Sequence, residues 1–219
     1  NKDIKFKLQL DSLQEIVSAE IIAPEFRYLK NIFDINLHSK QKENFLTHNL
    51  DLTYQFGNHT FSSKFDASTT NKPLSVYIKP CEIIFNKDTI IFGGIKIAQR
   101  EDKAFDVSKL ELSLNEQKLS AKGEFAEKEN FLINVDIENL QIDTLFTFLP
   151  SPYVRFGGEA TGNIAVAKDS TIHISSKDLI IKDFSYLNGL LGDTNAKVSY
   201  DIDHSELLLD VDIACEDNH

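Results

Sequence analysis

Residues 145–162 read LFTFLPSPYVRFGGEATG, and this stretch decides the fold. Its apolar run ends at Pro150 and Pro152, which cannot donate a backbone hydrogen bond and which push the preceding residue toward extended geometry. From Phe156 to Val166 the chain resumes a period of two, which is the period of a β-strand. The stretch therefore predicts a short helix over Asp143–Leu149, followed by a strand that is entered through paired glycines.

The same alternation continues on both sides of this stretch. Residues 4–10 and 133–137 are examples in which apolar and polar side chains alternate, and each predicts a strand. Gly57-Asn58 lies between two such runs and predicts a hairpin turn. The segment Leu13–Ala23 is less decided, because its spacing would also suit a helix.

Two segments of the chain resemble each other. Residues 133–142, INVDIENLQI, are echoed 39 residues later by residues 172–181, IHISSKDLII. Repeats of this period can mark stacked β units. The echo suggests that strands in this part of the chain are built on a common pattern.

Nearly every predicted strand has one apolar and one charged face, and little helix is available to cover the apolar face. An apolar sheet face must be buried against something. The sequence therefore predicts an all-β fold in which residues 1–219 form one continuous β-rich segment with one or two short helices. Either one long antiparallel sheet curls around an apolar concave groove, or two sheets close as a β-sandwich. Strand pattern near both ends favours a piece of a longer protein.

Charge excludes some classes of partner. The chain carries 34 acidic and 23 basic residues, a net charge of −11, and its basic residues are scattered singly. Because nucleic-acid affinity depends on neutralising phosphates, nucleic acid is not expected as a partner, nor is an anionic membrane surface. Cys81 and Cys215 lie far apart in sequence, and we expect no disulfide that the fold requires.

The polar residues form no catalytic or metal-binding pattern in the sequence. None of the six histidines has a Cys or a second His at ligand spacing, so no metal site is expected. Asp201 and Asp203 flank one residue beside a turn, where a solvated hairpin end is the expected role. The glycines of 157–162 lack the Lys and helix of a phosphate loop and are expected to serve backbone fit on a strand. We therefore predict no enzyme and no cofactor.

The apolar phase of the later strands provides the candidate site. A one-residue slip would exchange the apolar and polar sets, so the register of these strands is strongly fixed. We predict that the apolar set lines one concave surface that is at least partly open to an acyl chain. Its members are Ile133, Val135, Ile137, Ile164, Val166, Ile172, Ile174, Val198, Tyr200, Leu207, Leu209, Val211 and Ile213.

Several short motifs carry a family resemblance. They are NLQI at 139–142, LF at 145–146, VRFGGEATG at 154–162, IKDFSYLNG at 181–189, LGD at 191–193 and YD at 200–201. With these motifs, residues 137–202 resemble the AsmA-like/TamB family of envelope biogenesis proteins (translocation and assembly module), in the form seen in Bacteroidetes. The spacing from Leu-Phe through Phe-Gly-Gly to Gly-Asp is the specific part of the match.

The resemblance implies a long protein that is anchored in the inner membrane and spans the periplasm as a "β-taco" with an apolar groove. It implies lipid transport, in which phospholipid or other acyl chains are held or conducted toward the outer membrane. It also implies help in assembling outer-membrane proteins with an Omp85-type barrel, through another part of the parent chain. The family has no catalytic residues. The alternative is a structural or ligand-binding β-sandwich module of a cell-envelope protein.

Overall fold

The computed structural model describes residues 3–11, 16–29, 31–126, 130–143, 156–168, 171–187, 189–201 and 206–214. Of these residues 84% lie in strands and 1% in helix, which confirms the all-β class. The strands are β1 (Lys5–Leu10), β2 (Ile16–Tyr28), β3 (Asn31–Lys42), β4 (Phe45–Phe56), β5 (His59–Asn71), β6 (Leu74–Ile78), β7 (Cys81–Phe85), β8 (Asp88–Phe92), β9 (Ile95–Gln99), β10 (Phe105–Leu114), β11 (Gln117–Phe125), β12 (Phe131–Gln141), β13 (Phe156–Lys168), β14 (Ile172–Tyr186), β15 (Gly189–Asp201) and β16 (Glu206–Ala214).

The chain divides into two compact units. Unit 1 comprises residues 1–114 with β1–β10, and unit 2 comprises residues 115–219 with β11–β16. Within each unit the strands belong to one antiparallel sheet. A two-sheet sandwich is therefore not the arrangement inside either unit, and the structure fits the curled antiparallel sheet. That residues 1–219 act as one continuous segment stays a prediction.

Unit 1 is a meander in which two strands are broken. β6 and β7 both pair with β5, while β8 and β9 both pair with β10. Pro80 lies at the first break and Gly93-Gly94 at the second. A Cβ at Gly94, where φ is +85°, would lie 2.8 Å from the Ile78 carbonyl oxygen, so glycine lets the two breaks lie side by side. The chain therefore forms two separate strands here, β8 and β9, one on each side of Gly93-Gly94.

Unit 2 pairs its strands in sequence order from β11 to β16.

Three β-bulges in the molecule each contain a polar residue with positive φ. These residues are Glu25 at 49° in unit 1, and Asn139 at 50° and Asp183 at 49° in unit 2. The N–H of each bulged residue donates to a side-chain oxygen of the next strand, on Asp34 (2.7 Å), Thr161 (3.0 Å) and Asp193 (3.0 Å) respectively.

Each bulge inserts one extra residue next to a buried apolar position. The register shifts after Ala23, Ile137 and Ile181, and these are three of the eight buried apolar residues among those described. A bulge bends its strand and increases the local twist. The bulges therefore bend the sheets at the points where their apolar sides are best buried.

The glycines of the opening stretch lie opposite bulges of β14. A Cβ at Gly158, where φ is +123°, would lie 2.7 Å from the Lys182 carbonyl oxygen, and one at Gly162 would lie 2.5 Å from that of Asp178. A bulge pushes backbone toward the neighbouring strand, and only a residue without a side chain leaves room for it. The expected role of these glycines, backbone fit on a strand, is confirmed.

In the described residues, the two segments with a possible helix, Leu13–Ala23 and Asp143–Leu149, contain little helix. The described part of Leu13–Ala23 is strand β2, not helix. Its branched residues pair on both sides, with β1 and β3, and this tertiary pairing overrides a weak helical spacing. Ile142 and Asp143 are helical, and the rest of the predicted helix 143–149 lies outside the described residues. The hairpin predicted at Gly57-Asn58 is confirmed between β4 and β5, with Gly57 at φ +55°.

Candidate ligand-binding faces

The register of unit 2 places the predicted site residues on one side of its sheet, hereafter the apolar face of unit 2. Directly paired residues of neighbouring strands project to the same side. One such row crosses all six strands of the unit: Gly123, Ile133, Val166, Ile174, Tyr200 and Leu207. A second row joins Val135 to Ile164, and alternation along each strand adds Ile137, Ile172, Val198, Leu209, Val211 and Ile213. For Val198, Tyr200, Leu207 and Leu209 only the backbone placement is described.

The best-buried part of this face lies beside the bulges. Ile137, Ala160 and Ile181 form a buried cluster, and Val135 and Ile164 pack against it. Sequence reasoning missed Ala160 and Ile181, together with the partly buried Leu140, Leu179 and Phe184 that contact the same cluster. In β12 and β14 a bulge restarts the alternation after two polar residues, so a fixed period of two loses Leu140, Leu179, Ile181 and Phe184, whereas Ala160 keeps the phase of Ile164. An Asn or Asp inside an apolar strand was the available signal, since both tolerate the left-handed conformation.

Much of the apolar face of unit 2 remains accessible to solvent. Of the nine predicted site residues whose side chains are described, Ile137 alone is buried and Ile213 is 44% exposed, while the other seven are half-buried. Among all described residues, no side chain is fully buried. In a sealed core, the inward side chains of consecutive strands would be packed to near-complete burial. The described side chains of this face are therefore less buried than those of a sealed core, and an open face stays a prediction.

The opposite side of the unit 2 sheet is mostly polar and carries cross-strand pairs, although Leu132, Ile180 and Leu208 are exposed there. Asn163 donates to Asp136 at 2.9 Å, and Lys197 lies 3.5 Å from Asp210. Such exposed pairs contribute little stability, about 0–1 kcal/mol each. These pairs keep their part of this side hydrated, and the apolar face of unit 2 carries the more continuous set of apolar side chains.

Unit 1 has an apolar face built in the same way. Paired rows run through Phe6, Ile21, Leu37, Leu50 and Phe65, and through Ala23, Ile35 and Leu52. Ala23 is buried, whereas Phe6 is 63% exposed on the outer strand β1. The predicted site residues all lie in unit 2, so this second face was missed, although residues 4–10, 33–37 and 50–56 show the same alternation.

A series of aromatic rings borders the apolar face of unit 1. Phe33 stacks on Tyr54 at a centroid distance of 4.6 Å, and Tyr54 stacks on Phe56 at 5.1 Å. The series continues from Phe56 to His59, at a centroid distance of 5.2 Å, and from His59 to Phe85, at 5.6 Å. Offset stacking of this kind contributes about 0.5–1.5 kcal/mol per pair beyond area burial.

A polar cluster interrupts the apolar face of unit 1. His48 Nδ1 lies 2.8 Å from Ser39 Oγ, and His48 Nε2 lies 3.0 Å from Thr69 Oγ1. Burial lowers the pKa of His48, which favours the neutral ring. Sequence analysis did not reveal a serine beside a base, because Ser39 and His48 come together only through strand pairing across a hairpin. Both ring nitrogens of His48 are hydrogen-bonded to hydroxyl groups. Among the described residues, Ser39, His48 and Thr69 therefore form a hydrogen-bonded cluster across neighbouring strands.

The remaining predictions about chemistry concern metals and thiols. Within the described part of the chain, no group of three His, Cys, Asp or Glu side chains is placed to hold a metal ion. Cys81 is a free thiol whose Sγ lies 3.7 Å from Ser63 Oγ. Cys215, Asp203 and Ile202 lie outside the described residues. The absence of a required disulfide therefore stays a prediction.

Comparison of the chain with protein-family models, with curated proteins and with solved structures found no match. The resemblance to the TamB family therefore stays a prediction. Over the described residues, no helix has the length and apolar character needed to cross a membrane. The two apolar faces are therefore the features of the chain that bear on its function.

Proposed function

We propose that this chain is a non-enzymatic, acyl-chain-binding segment of a cell-envelope protein. The observation that carries the proposal is an apolar face that runs across consecutive strands and yet is only half-buried at most of its described residues. An exposed apolar surface of this extent on a soluble protein marks a ligand or partner site. An aliphatic lining without catalytic groups suits a ligand that is itself aliphatic.

The dimensions of the face support an acyl chain as its occupant. The row across β11–β16 has five strand-to-strand intervals, which at about 4.8 Å each span roughly 24 Å. One leaflet of a bilayer's hydrocarbon core is about 15 Å thick, half of roughly 30 Å. A single acyl chain therefore fits along the row without needing a closed pocket.

The energetics favour reversible binding. About ten methylenes removed from water contribute roughly 8 kcal/mol. Association costs at least about 4 kcal/mol in lost freedom, which leaves at most roughly 4 kcal/mol, a Kd of about 1 mM. Reversible binding of this strength suits a surface that passes acyl chains along better than one that stores them.

The cellular setting rests on the resemblance described above. We place the segment in the periplasm, within a parent protein anchored in the inner membrane. There it holds or conducts phospholipid or other acyl chains toward the outer membrane. A role in outer-membrane protein assembly would involve an Omp85-type barrel through another part of the parent chain. The low burial of the apolar faces is a reason to prefer this reading over a closed β-sandwich module.

Titration with a neutral acyl probe tests the proposal. An NBD-labelled fatty alcohol, whose emission rises in apolar surroundings, should show a saturable increase with the folded protein. Unlabelled fatty alcohol should displace it. A neutral probe is chosen because the chain carries a net charge of −11, which would repel fatty-acid carboxylates. A folded protein that gives no saturable signal would contradict the proposal.

A further inference from the structure

A cavity lies at one end of the apolar face of unit 1. Its volume is about 750 Å³, within the range of small-molecule sites. It is formed by the start of β2, the β3–β4 hairpin and the end of β5. We propose that this cavity binds the headgroup of a zwitterionic aminophospholipid whose acyl chain lies on the adjoining apolar face. This inference rests on the proposed function and names the lipid class that the face would take.

The cavity lies beside the apolar face, with the Ser39–His48–Thr69 cluster between its row of lining residues and Leu50. Gln41 pairs with Leu46 and Leu46 pairs with Thr69, so these three lining residues form one row. The row lies two residues along β4 from His48 and four from Leu50, on the same side of the sheet. A molecule seated in the cavity can therefore extend an apolar tail along β4, past the His48 cluster, to Leu50 and Phe65 on the same side of the sheet.

The lining changes from apolar to polar toward the hairpin ends. Leu46 and Phe45 are half-buried, whereas Asn44 and Asn71 are exposed. Side-chain amides can both donate to phosphate oxygens and accept from ammonium groups. The order of groups, aliphatic and then hydrogen-bonding, matches the order of groups in an amphiphile.

Two opposite charges complete the cavity lining. Glu43 and Lys72 are both exposed lining residues, and within the described part of the chain neither forms an ion pair. A phosphate next to a primary ammonium offers each of them a partner of opposite charge. Lys72 would donate to the phosphate, and the ammonium would donate to the Glu43 carboxylate, both charge-assisted hydrogen bonds. A purely anionic headgroup would satisfy Lys72 and leave Glu43 facing like charge.

The test compares two soluble lipids below their micelle concentrations, dihexanoyl-phosphatidylethanolamine and dihexanoyl-phosphatidylglycerol. Binding is followed by the chemical shifts of backbone amides in the β3–β4 hairpin. The unmutated protein should bind the ethanolamine lipid several-fold more tightly. Lys72→Gln should weaken binding of both lipids about tenfold, the loss of one charge-assisted hydrogen bond. Glu43→Gln should remove the preference between them.

Matched controls make the result specific. Lys87→Gln makes the same charge change in an exposed turn of the same unit, away from the cavity, and should leave binding unchanged. Equal effects of Lys72→Gln and Lys87→Gln, or no preference between the lipids, would overturn the headgroup site. Free phosphoethanolamine should bind much more weakly than the lipid, and equal binding would also overturn it.

Different results would contradict the headgroup site and the acyl-chain function. If the NBD-labelled fatty alcohol binds but the lipid headgroups are not distinguished, the headgroup inference is wrong and the acyl-chain function stands. If the fatty alcohol does not bind to the folded protein, the proposed function itself is wrong.

Discussion

Val135→Asp should strongly weaken acyl-chain binding and leave the protein folded. Val135 is half-buried on the apolar face of unit 2 and pairs with Ile164 on β13. On an open face the new carboxylate stays hydrated, so the expected loss in unfolding free energy is about 1–2 kcal/mol from reduced apolar burial. An acyl chain, however, cannot cover an ionised carboxylate without desolvating it, so affinity should fall by at least about tenfold. Urea unfolding and titration with the NBD-labelled fatty alcohol measure the two effects.

Two further variants distinguish an open apolar face from a sealed core. Val211→Asp places the same charge on the same face at β16, where Val211 is also half-buried, and should behave alike. Asn134→Asp adds the charge one residue from Val135 on the opposite side of the sheet and should leave binding intact. If Val135→Asp and Val211→Asp each unfold the protein, the apolar face is a sealed core.

Gly158→Ala should be among the most destabilising single-methyl changes in unit 2. The new Cβ would lie 2.7 Å from the Lys182 carbonyl oxygen and 2.9 Å from Ile181 Cγ2, at a φ of +123°. Strain at such a backbone conformation costs about 1–3 kcal/mol, and displacing a bulge that packs Ile181 adds a similar amount. We expect a loss of about 2–5 kcal/mol in the free energy of unfolding, measured by urea denaturation.

Gly189→Ala supplies the control for this change. A Cβ there meets only the Tyr186 carbonyl oxygen, at 3.4 Å, an ordinary contact. Its effect should be within about 0.5 kcal/mol of zero, as for most surface substitutions. Equal stability of the two variants would show that the bulge of β14 does not press on β13 as described.

The strand content and the phase of the apolar face could be predicted from sequence because both follow from a period of two. The register of the strands follows, because each strand can pair in only one phase without exposing its apolar side chains. This reasoning placed Ile133, Val166 and Ile174 on the same side of the sheet, and the structure pairs them in one row. It also placed a turn at Gly57-Asn58, where β4 ends and β5 begins.

The bulges could not be placed in the same way, because they depend on side-chain oxygens of the neighbouring strand. The N–H of Asn139 is satisfied by Thr161, which is 22 residues away in sequence. The echo between residues 133–142 and 172–181 did mark two register shifts, after Ile137 and after Ser176, without revealing what they were. The Ser39–His48–Thr69 cluster was missed for the same reason, since its members meet only through strand pairing.

The central claim, that alternate residues of consecutive strands form one open acyl-binding face, is tested most directly by photocrosslinking. A fatty alcohol carrying a diazirine near the end of its chain would be bound, irradiated and mapped on the protein by peptide mass spectrometry. Adducts are predicted on residues of the apolar phase, such as Val135, Val166 and Ile174. Few are predicted on their neighbours of opposite phase, Asp136, Ala167 and His173. Adducts distributed equally between the two phases, or no adducts on β12–β14 of the folded protein, would contradict the account.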